Sequence, residues 1–282
     1  MLTKNELKTL WKKHGFRPLK RLGQNFLVDK NIKDKILRHL QIRSRDLVLE
    51  IGSGFGELTV DLAEHAKRVI AVEKDKKIIE ILKSENLLPN NVTIVECDFL
   101  DFNIYDITQN DKIIIYGNLP YYITSPILER LLIHRGNIKT IYYVLQKEVA
   151  DRIVAKPHTK DIGRLSLFVQ YHAQPRVLFS INKEAFYPQP MVASVLLELK
   201  MRDKKDIKAK DEKTLFEVIK FAYSQRRKAI SNSISAMGIK KDKIFKLLKA
   251  AEVDPRSRAE NLSLEDFIRL SDIFYTELRR PR

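Results

Sequence analysis

The sequence has few residues that could cross-link the chain or hold a metal. It contains one cysteine, Cys97, among 282 residues, which excludes an intrachain disulfide and a cysteine-based metal site. Its six histidines are scattered without metal-ligand spacing, so we expect no metal. The start of the chain carries acidic Glu6 and no apolar signal core, and no apolar run approaches the length of a membrane span. We therefore expect a cytoplasmic protein without a membrane association.

Charge is strongly biased toward one sign. Lysine and arginine number 52 against 36 aspartate and glutamate residues, a surplus of 16 positive charges. Such a surplus indicates a polyanionic partner, with nucleic acid first and an anionic membrane second. Hydrophobic residues make up 44% of the chain, so a packed core is feasible.

Short apolar runs alternate with amphipathic segments over the first two thirds of the chain. Strands are predicted at 47–51, 68–73, 92–95, 112–116 and 140–145, with a closing pair at 176–181 and 195–200. Helices are predicted at 3–14, after a cap at Asp29, and at 57–66, 76–84 and 126–134, whereas 20–27 is predicted to be a loop. Apolar strands that alternate with helices are typical of a parallel sheet covered on both faces.

A charged stretch at 201–213 has few core candidates and marks the predicted domain boundary. Residues 1–204 form the predicted α/β domain, which includes the N-terminal helix, and residues 211–282 form a small helical domain. Four helices are predicted there, at 215–226, 229–236, 243–251 and 264–274, with Ser263 and Asp266 capping the last one.

A glycine-rich turn follows the first strand of the predicted sheet. Gly52 and Gly54 in this turn would let a ligand approach the backbone closely. The dinucleotide fingerprint requires glycine or alanine where this chain has Glu57, and the lysine of a phosphate-binding P-loop is absent. Glu50 beside the glycines would repel a phosphate and suits a cationic ligand. The turn therefore favours a nucleoside without phosphates.

Acidic residues also end the next two strands. Glu73 could accept both ribose hydroxyls, and Asp98 could accept the amine of an adenine, with Phe99 as a flank. Taken with the glycines and Glu50, these acids fit S-adenosylmethionine, whose sulfonium is positive and whose tail lacks phosphate.

The tetrapeptide Asn118-Leu119-Pro120-Tyr121 follows a short apolar run at a predicted strand end. The Asn118 side-chain oxygen and the Leu119 carbonyl could accept both hydrogens of an exocyclic amine. Pro120 restricts the backbone, and Tyr121 could stack on the base that carries the amine. This combination indicates methyl transfer to an adenine amine.

Eight ordered segments extend the pattern nearly end to end: 22–27, 50–56, 118–121, 146–150, 163–166, 185–192, 225–228 and 258–263. With them the chain resembles the KsgA-type (also called RsmA) family of small-subunit rRNA adenine dimethyltransferases. The resemblance implies a class I methyltransferase fold, Rossmann-like and mostly parallel, with a small all-α C-terminal domain. Its implied substrate is a pair of adjacent adenosines in the 3′-terminal hairpin loop of 16S rRNA, each dimethylated at N6, with S-adenosylhomocysteine as the product.

The resemblance also implies roles for individual residues. Asn25, Leu27 and Gly52 would hold the methionine end of the cofactor, and Asn118 would contact both cofactor and target. Phe186 would stack on the target base opposite Tyr121. Two departures, Tyr122 and His158, lie away from this chemistry, and we interpret them as tolerated variation.

Basic residues that could contact the RNA backbone occur in three groups. Arg226, Arg227 and Lys228 form the strongest group. The weaker groups are Lys20 with Arg21 and Arg256 with Arg258. Such contacts would position the small ribosomal subunit or its precursor without reading sequence.

Three alternatives stay open at this point. The Erm-type 23S rRNA adenine methyltransferases share the catalytic segments, although 225–228 and 258–263 favour the small-subunit family. A DNA adenine methyltransferase usually has a separate base-reading domain, for which the helical tail is small. A ribosome-assembly factor that needs no catalysis is the third, and this role could coexist with methylation. We expect a monomer.

Overall fold

The computed structural model describes residues 2–108, 112–119, 123–203 and 208–278. The chain divides into two compact units. The first comprises residues 1–150 and 175–201, and the second comprises residues 151–174 and 202–282. The sequence-based boundary cuts the chain differently, because it assigns all of 1–204 to one domain, whereas 151–174 groups with the C-terminal helices.

A seven-stranded sheet organises the first unit. Its strands are β2 (Leu47–Ile51), β3 (Arg68–Glu73), β4 (Val92–Glu96), β5 (Ile113–Asn118), β6 (Ile138–Gln146), β7 (Ala173–Ile181) and β9 (Ser194–Met201). They lie in the order β4-β3-β2-β5-β6-β9-β7. The five neighbouring strands β4, β3, β2, β5 and β6 pair in parallel, and β9 pairs antiparallel with β6. The carboxyl ends of β2, β3, β4 and β5 therefore meet at one edge, where open α/β sheets bind ligands.

Helices precede this sheet and connect its strands. They are α1 (Lys4–His14), α2 (Lys30–Leu40), α3 (Thr59–His65), α4 (Lys76–Ser84), α5 (Thr124–Ile133) and α6 (Lys147–Ile153). The predicted cap of α2 is confirmed, since the Asp29 carboxylate accepts a hydrogen bond from the Ile32 amide at 3.0 Å. The central strands β2, β3 and β5 are buried on both faces, as their near-continuous apolar runs require, whereas the edge strands β4 and β7 are partly exposed.

A second, two-stranded sheet lies outside the main one. Strand β1 (Phe26–Leu27) pairs antiparallel with β8 (Phe186–Tyr187), and Leu27 lies opposite Phe186. The sequence predicts a loop over 20–27, and this prediction is wrong at β1. Two-residue strands carry no periodicity, and their pairing joins positions far apart in the chain.

The second unit is helical. It contains α7 (Arg164–His172), α8 (Glu212–Ala222), α9 (Ile230–Ile234), α10 (Lys241–Ala250) and α11 (Leu264–Leu278). Ile162, Leu167 and Tyr171 share one apolar core with residues of the C-terminal helices, including Phe267 and Phe274. This shared core is the reason that 151–174 belongs to the helical unit.

The predicted cap at the start of α11 is confirmed. The Ser263 amide donates to the Asp266 carboxylate at 2.8 Å, and the Asp266 amide donates to the Ser263 hydroxyl at 3.1 Å. None of the helices in the described part of the chain is both long and apolar enough to span a bilayer.

Candidate active site

A cavity of about 970 Å³, its open mouth included, lies at the carboxyl edge of the main sheet. Such volumes are typical of sites for small molecules and cofactors. Its lining includes all nine residues that the sequence assigns to a cofactor. These residues are Asn25, Leu27, Glu50, Gly52, Gly54, Glu73, Asp98, Phe99 and Asn118. The structure therefore brings the predicted cofactor residues together in one place.

The glycine turn after β2 forms part of this lining. Gly52 and Gly54 have positive φ angles of 74° and 56°, which residues with a side chain rarely adopt. A Cβ atom on Gly54 would lie 2.6 Å from the Glu57 carboxylate and 3.1 Å from the Phe26 ring. Glycine at this position keeps the turn open beside the cavity.

Glu73 is held by three backbone amides. Its Oε2 accepts from Gly54 at 3.0 Å, and its Oε1 accepts from Lys74 and Asp75, each at 2.8 Å. Burial raises the pKa of Glu73 even though these amides favour the charged form. Because a carboxylate has about four acceptor positions, Oε2 keeps the capacity to accept a further bond at the cavity wall.

Asp98 lies in a different electrostatic environment. Burial raises its pKa, but the Lys74 ammonium at 2.6 Å and the Leu100 amide at 3.0 Å outweigh burial and bring the pKa below its ordinary value. Asp98 is therefore an ionised acceptor beside the buried ring of Phe99. An ionised acceptor and a ring edge suit the amine and the face of an adenine.

Two further carboxyl groups, Glu50 and Glu57, are buried at the cavity wall. Burial raises the pKa of each to about 8, and the neighbouring Glu73 carboxylate adds to both shifts. Among the described residues, Glu50 Oε2 and Glu57 Oε1 have no hydrogen-bond partner. Unpartnered buried carboxyl oxygens disfavour a phosphate and fit a cationic ligand. The residues present therefore fit a sulfonium nucleoside.

Asn118 is the last residue of β5, and Leu119 follows it; both line the cavity. The Asn118 Nδ2 donates a hydrogen bond to the Asn25 carbonyl at 3.0 Å. This contact fixes which end of the amide is the nitrogen, and it turns Oδ1 away from Asn25. The Leu119 amide donates to the Val144 carbonyl at 3.2 Å, which holds the backbone that carries the second predicted acceptor.

Among the predicted catalytic residues that the structure describes, one is not at the cavity wall. Phe186 is buried in β8 and belongs to the same apolar cluster as Leu27, and it is absent from the lining. Its role as a stacking partner of the target base stays a prediction. Pro120, Tyr121 and the side chain of Lys20 lie outside the described residues.

The structure adds residues that sequence reasoning did not assign to the site. Gln24 lines the cavity and donates to the Asp75 carboxylate at 2.7 Å, which links the 22–27 segment to the end of β3. The sequence shows Glu57 only as a mismatch to the dinucleotide fingerprint, whereas its burial within the turn makes it part of the cavity wall. Cys97 also lines the cavity, and burial raises the pKa of its thiol, so the thiolate is disfavoured.

The basic residues predicted to contact RNA differ in their surroundings. The Arg226 guanidinium donates to the carbonyls of Lys160 and Ile162 at 2.8 and 3.0 Å, so it tethers a loop of its own unit. Arg256 and Arg258 lie near Asp254 and Glu260, at 3.4 and 3.8 Å. The remaining candidates whose side chains are described are exposed; they are Arg21, Arg227 and Lys228.

Within the described ranges, no group of three or more histidine, cysteine, aspartate or glutamate side chains is arranged to hold a metal ion. The strand order, with antiparallel β9 beside parallel β6, and the acid-lined glycine turn at the carboxyl edge define a class I methyltransferase. The model of the ribosomal RNA adenine dimethylase family matches residues 15–276. The chain belongs to that family and is an enzyme of the methyltransferase class.

Relatives and solved structures agree with this assignment. The chain is 41% identical to a ribosomal RNA small subunit methyltransferase A of Clostridium acetobutylicum over 93% of this chain and 96% of the relative. It is 38% identical to the same-named protein of Bacillus mycoides, over 96% of each. A dimethyladenosine transferase from Plasmodium falciparum superposes with a TM-score of 0.76 at 26% identity, covering 87% of this chain and 95% of that one. The 23S rRNA methyltransferase ErmE, at 23% identity and a TM-score of 0.67, shares the fold, with coverage of 88% and 99%.

Proposed function

We propose that this protein transfers methyl groups from S-adenosylmethionine to the N6 amines of two adjacent adenosines in the 3′-terminal hairpin loop of 16S rRNA. The observation that carries the proposal is the pair Asn118 and Leu119, which lie at the wall of the acid-lined cavity. With its Nδ2 bonded to the Asn25 carbonyl, Asn118 is preorganised to use its oxygen as an acceptor.

The cavity residues divide the cofactor among them. Asn25, Leu27 and Gly52 would hold its methionine end, and Glu73 its ribose. Asp98 and Phe99 would hold its adenine. A bound cation lowers the pKa of neighbouring carboxyl groups, so Glu50 and Glu57 would release their protons on binding and then balance the positive charge of the cofactor. When bound, the cofactor supplies a methyl group on a sulfonium, which is activated for displacement.

The target amine needs activation because its lone pair is delocalised into the adenine ring. If Asn118 Oδ1 and the Leu119 carbonyl accept its two hydrogens, the nitrogen can pyramidalise and direct its lone pair at the methyl carbon. Positive charge then develops on this nitrogen, where the two fixed oxygens stabilise it. No separate general base is required, since the product ammonium is acidic and loses its proton afterwards.

The target base must leave its stack to reach these acceptors. Extrusion costs less from a hairpin loop than from a duplex, which agrees with a loop substrate. Tyr121 and Phe186 are the proposed stacking partners, each contributing about 1–3 kcal/mol. Because Phe186 is buried in β8, this role requires the base to reach the edge of its cluster.

Backbone contacts with the RNA would come from exposed basic residues. Arg227, Lys228 and Arg21 are the candidates that form no ion pair in the described part of the chain. Lys20, Arg226, Arg256 and Arg258 complete the proposed set. These contacts would position the small-subunit precursor on a monomeric enzyme and carry no sequence information.

Two alternatives remain as outcomes of the test. Methylation of 23S rRNA is one, and the fold similarity to ErmE is compatible with it, whereas the names of the most similar sequences favour the small subunit. A role in ribosome assembly that is independent of methylation is the other. The acid-lined cavity favours catalysis, and both roles can coexist.

The decisive experiment supplies purified protein and methyl-labelled cofactor to small and large ribosomal subunits that lack adenine methylation. We expect label only in the small subunit, on two adjacent adenosines of the 3′-terminal loop, and as dimethyladenosine after digestion. The Asn118→Ala variant is the control for contaminating activity. Label confined to the large subunit, or none in either, would refute the proposed function.

A further inference from the structure

The N-terminal helix α1 is fixed rigidly to the first unit. Its Leu7, Leu10 and Trp11 side chains are buried, and Leu7 is fully so. Thr3 and Glu6 form a capping box at its start, and Gly15 ends it in a left-handed conformation. A helix held at both ends and along one face presents its other side chains in a fixed geometry.

Aromatic contacts place this helix beside the candidate active site. The Trp11 ring stacks on Tyr187, with centroids 5.3 Å apart and planes at 23°. Trp11 also contacts Phe26, which lines the cavity, at a centroid distance of 5.6 Å. Tyr187 directly follows Phe186, the proposed stacking partner of the target base. The exposed face of α1 therefore adjoins the segment that the target would approach.

Three lysines, Lys4, Lys8 and Lys12, recur at four-residue intervals on α1 and are exposed. We call them the α1 lysine stripe. The ammonium groups of Lys4 and Lys8 lie 5.1 and 5.3 Å from the centroid of the Tyr187 ring. In contrast, Lys13 on another face forms an ion pair with Glu85 at 2.7 Å. In the described ranges, no ion pair involves the three stripe lysines.

This arrangement is unfavourable for the isolated protein. Like charges four residues apart on a helix repel each other. Lys4 also occupies the first turn, where the helix dipole disfavours a positive charge. An anionic partner would remove both penalties. The stripe extends about 12 Å along the helix axis, enough to contact more than one phosphate of a nucleic acid strand.

The same helix argues against a membrane as the anionic partner. Amphipathic helices that bind bilayers insert an apolar face into the headgroup region. The apolar face of α1 is already buried in the protein through Leu7, Leu10 and Trp11. Only the charged face is available, and charge alone suits a phosphate backbone.

We propose that the α1 lysine stripe binds the phosphate backbone of the RNA strand that carries the target adenosines, next to Tyr187. This inference rests on the proposed function and adds a contact surface to it. The stripe would hold the flanking backbone while the target base enters the cavity, and it would act without reading sequence.

The test compares two triple variants that each remove three positive charges. One is Lys4→Gln, Lys8→Gln and Lys12→Gln. The matched control is Arg45→Gln, Lys67→Gln and Lys112→Gln, which are exposed basic residues just before β2, β3 and β5, at the amino ends of the strands, whereas the cavity lies at their carboxyl ends. The probe is a hairpin RNA whose loop carries two adjacent adenosines, and its affinity is measured over a salt series.

We expect the stripe variant to lower the magnitude of the slope of log affinity against log salt by about 2 to 3, near one per lysine, and the control to leave it unchanged. The triple variant Lys4→Arg, Lys8→Arg and Lys12→Arg keeps the three positive charges and should retain the wild-type slope. Cofactor affinity, measured by calorimetry, should be the same in all variants. The proposal would be overturned if the salt slope of the stripe variant equalled that of the wild type and the control. It would also be overturned if the single variant Lys8→Gln kept the wild-type slope.

Two further measurements distinguish a failure of the stripe proposal from a failure of the proposed function. If the wild-type protein binds the cofactor but neither binds nor methylates the hairpin, the proposed function fails. If it methylates the hairpin and the stripe variant keeps the wild-type slope, only the stripe proposal fails. Binding to phosphatidylserine vesicles that the stripe variant loses, with an unchanged RNA slope, would assign the stripe to a membrane and overturn the proposal.

Discussion

At the scale of single residues, the buried carboxyl groups of the cavity couple stability to pH. Burial raises the pKa of both Glu50 and Glu57 from 4.5 to about 8. Between these values the folded protein retains protons that the unfolded chain releases. The free energy of unfolding should therefore fall as pH rises from about 5 to 8, by up to about 1.4 kcal/mol per pH unit for each group.

Glu57→Gln should remove one of the two contributions. We expect a shallower decline of unfolding free energy between pH 5 and 8, because a neutral amide has no proton to lose. Urea unfolding at pH 5, 6, 7 and 8, without cofactor, measures this slope. Glu64→Gln, which changes an exposed residue on α3, is the control and should keep the wild-type slope. Equal slopes for wild type and Glu57→Gln would contradict the assignment of a neutral Glu57.

A second residue-scale prediction concerns Asn118. Replacing it with alanine removes the proposed acceptor for the target amine, and turnover should fall about 10²–10³-fold, as when one preorganised polar group is lost. Cofactor affinity should change far less, because other cavity residues carry most of that binding. Single-turnover methyl transfer and calorimetry measure the two effects separately.

The control for this prediction is Asn5→Ala on the exposed face of α1, which should behave as wild type. If Asn118→Ala retained near wild-type turnover, Asn118 would have no part in the chemistry. A loss of cofactor affinity equal to the loss of turnover would assign it to cofactor binding alone.

At the scale of elements, the glycine turn between β2 and α3 is sensitive to added volume. Gly54→Ala would place a methyl group against Phe26 and the buried Glu57 carboxyl, with overpacking and a positive φ. We expect a destabilisation about 1–3 kcal/mol larger than that of Gly238→Ala, and weaker cofactor binding. Gly238 also has a positive φ, but no neighbouring atom lies within 4 Å of its added Cβ.

Thermal and urea unfolding of the two variants isolate the packing term, since both substitutions impose the same kind of backbone strain. Equal destabilisation by Gly54→Ala and Gly238→Ala would mean that the turn can relax around a methyl group. The cavity would then tolerate a wider turn than the structure suggests.

The basic triplet after α8 should separate into two functions. Arg226→Ala removes guanidinium bonds to two loop carbonyls and should cost about 1 kcal/mol of stability, a low value because the group is exposed. Arg227→Ala should leave stability unchanged and reduce the magnitude of the salt slope of RNA binding by about one. Each variant loses one positive charge, so each is the control for the other. Identical effects of the two on stability would contradict the tether.

Elements with strong local patterns were predictable from the sequence. The bounds of β2, β3 and α4 agree with the prediction, because apolar runs and the Asp75 cap mark them locally. The β1–β8 pairing was missed since it depends on a contact between distant segments. Helices α6 and α7 were also missed, and the interior of residues 151–174 depends on apolar partners that appear later in the chain.

The candidate site was predictable to a similar degree and for related reasons. Strand-end acids and glycines are adjacent to recognisable strands, so their meeting at one sheet edge followed from topology. The unpartnered oxygens of Glu50 and Glu57 could not be predicted, because burial of a loop carboxyl depends on the packing around it. The loop tether of Arg226 had no local signal either, and charge alone suggested a surface role.

At the scale of the whole molecule, the surplus of 16 positive charges should govern RNA affinity. We expect log affinity for the hairpin RNA to fall linearly with log salt, by about 0.7 to 0.9 for each phosphate neutralised. Filter binding measures this slope between about 50 and 300 mM potassium chloride, a range that includes physiological salt. A flat response would contradict an electrostatic RNA surface, whereas loss of methylation without loss of the slope would leave this surface intact.

The division of the chain has a consequence for its synthesis. Apolar residues of 151–174, such as Ile162 and Leu167, are buried against helices that come much later in the chain and include Phe274. A nascent chain that ends after β9 still exposes these apolar side chains to chaperones and proteases. Emergence of α8 to α11 from the ribosome is therefore the step that buries these residues and ends their exposure to degradation.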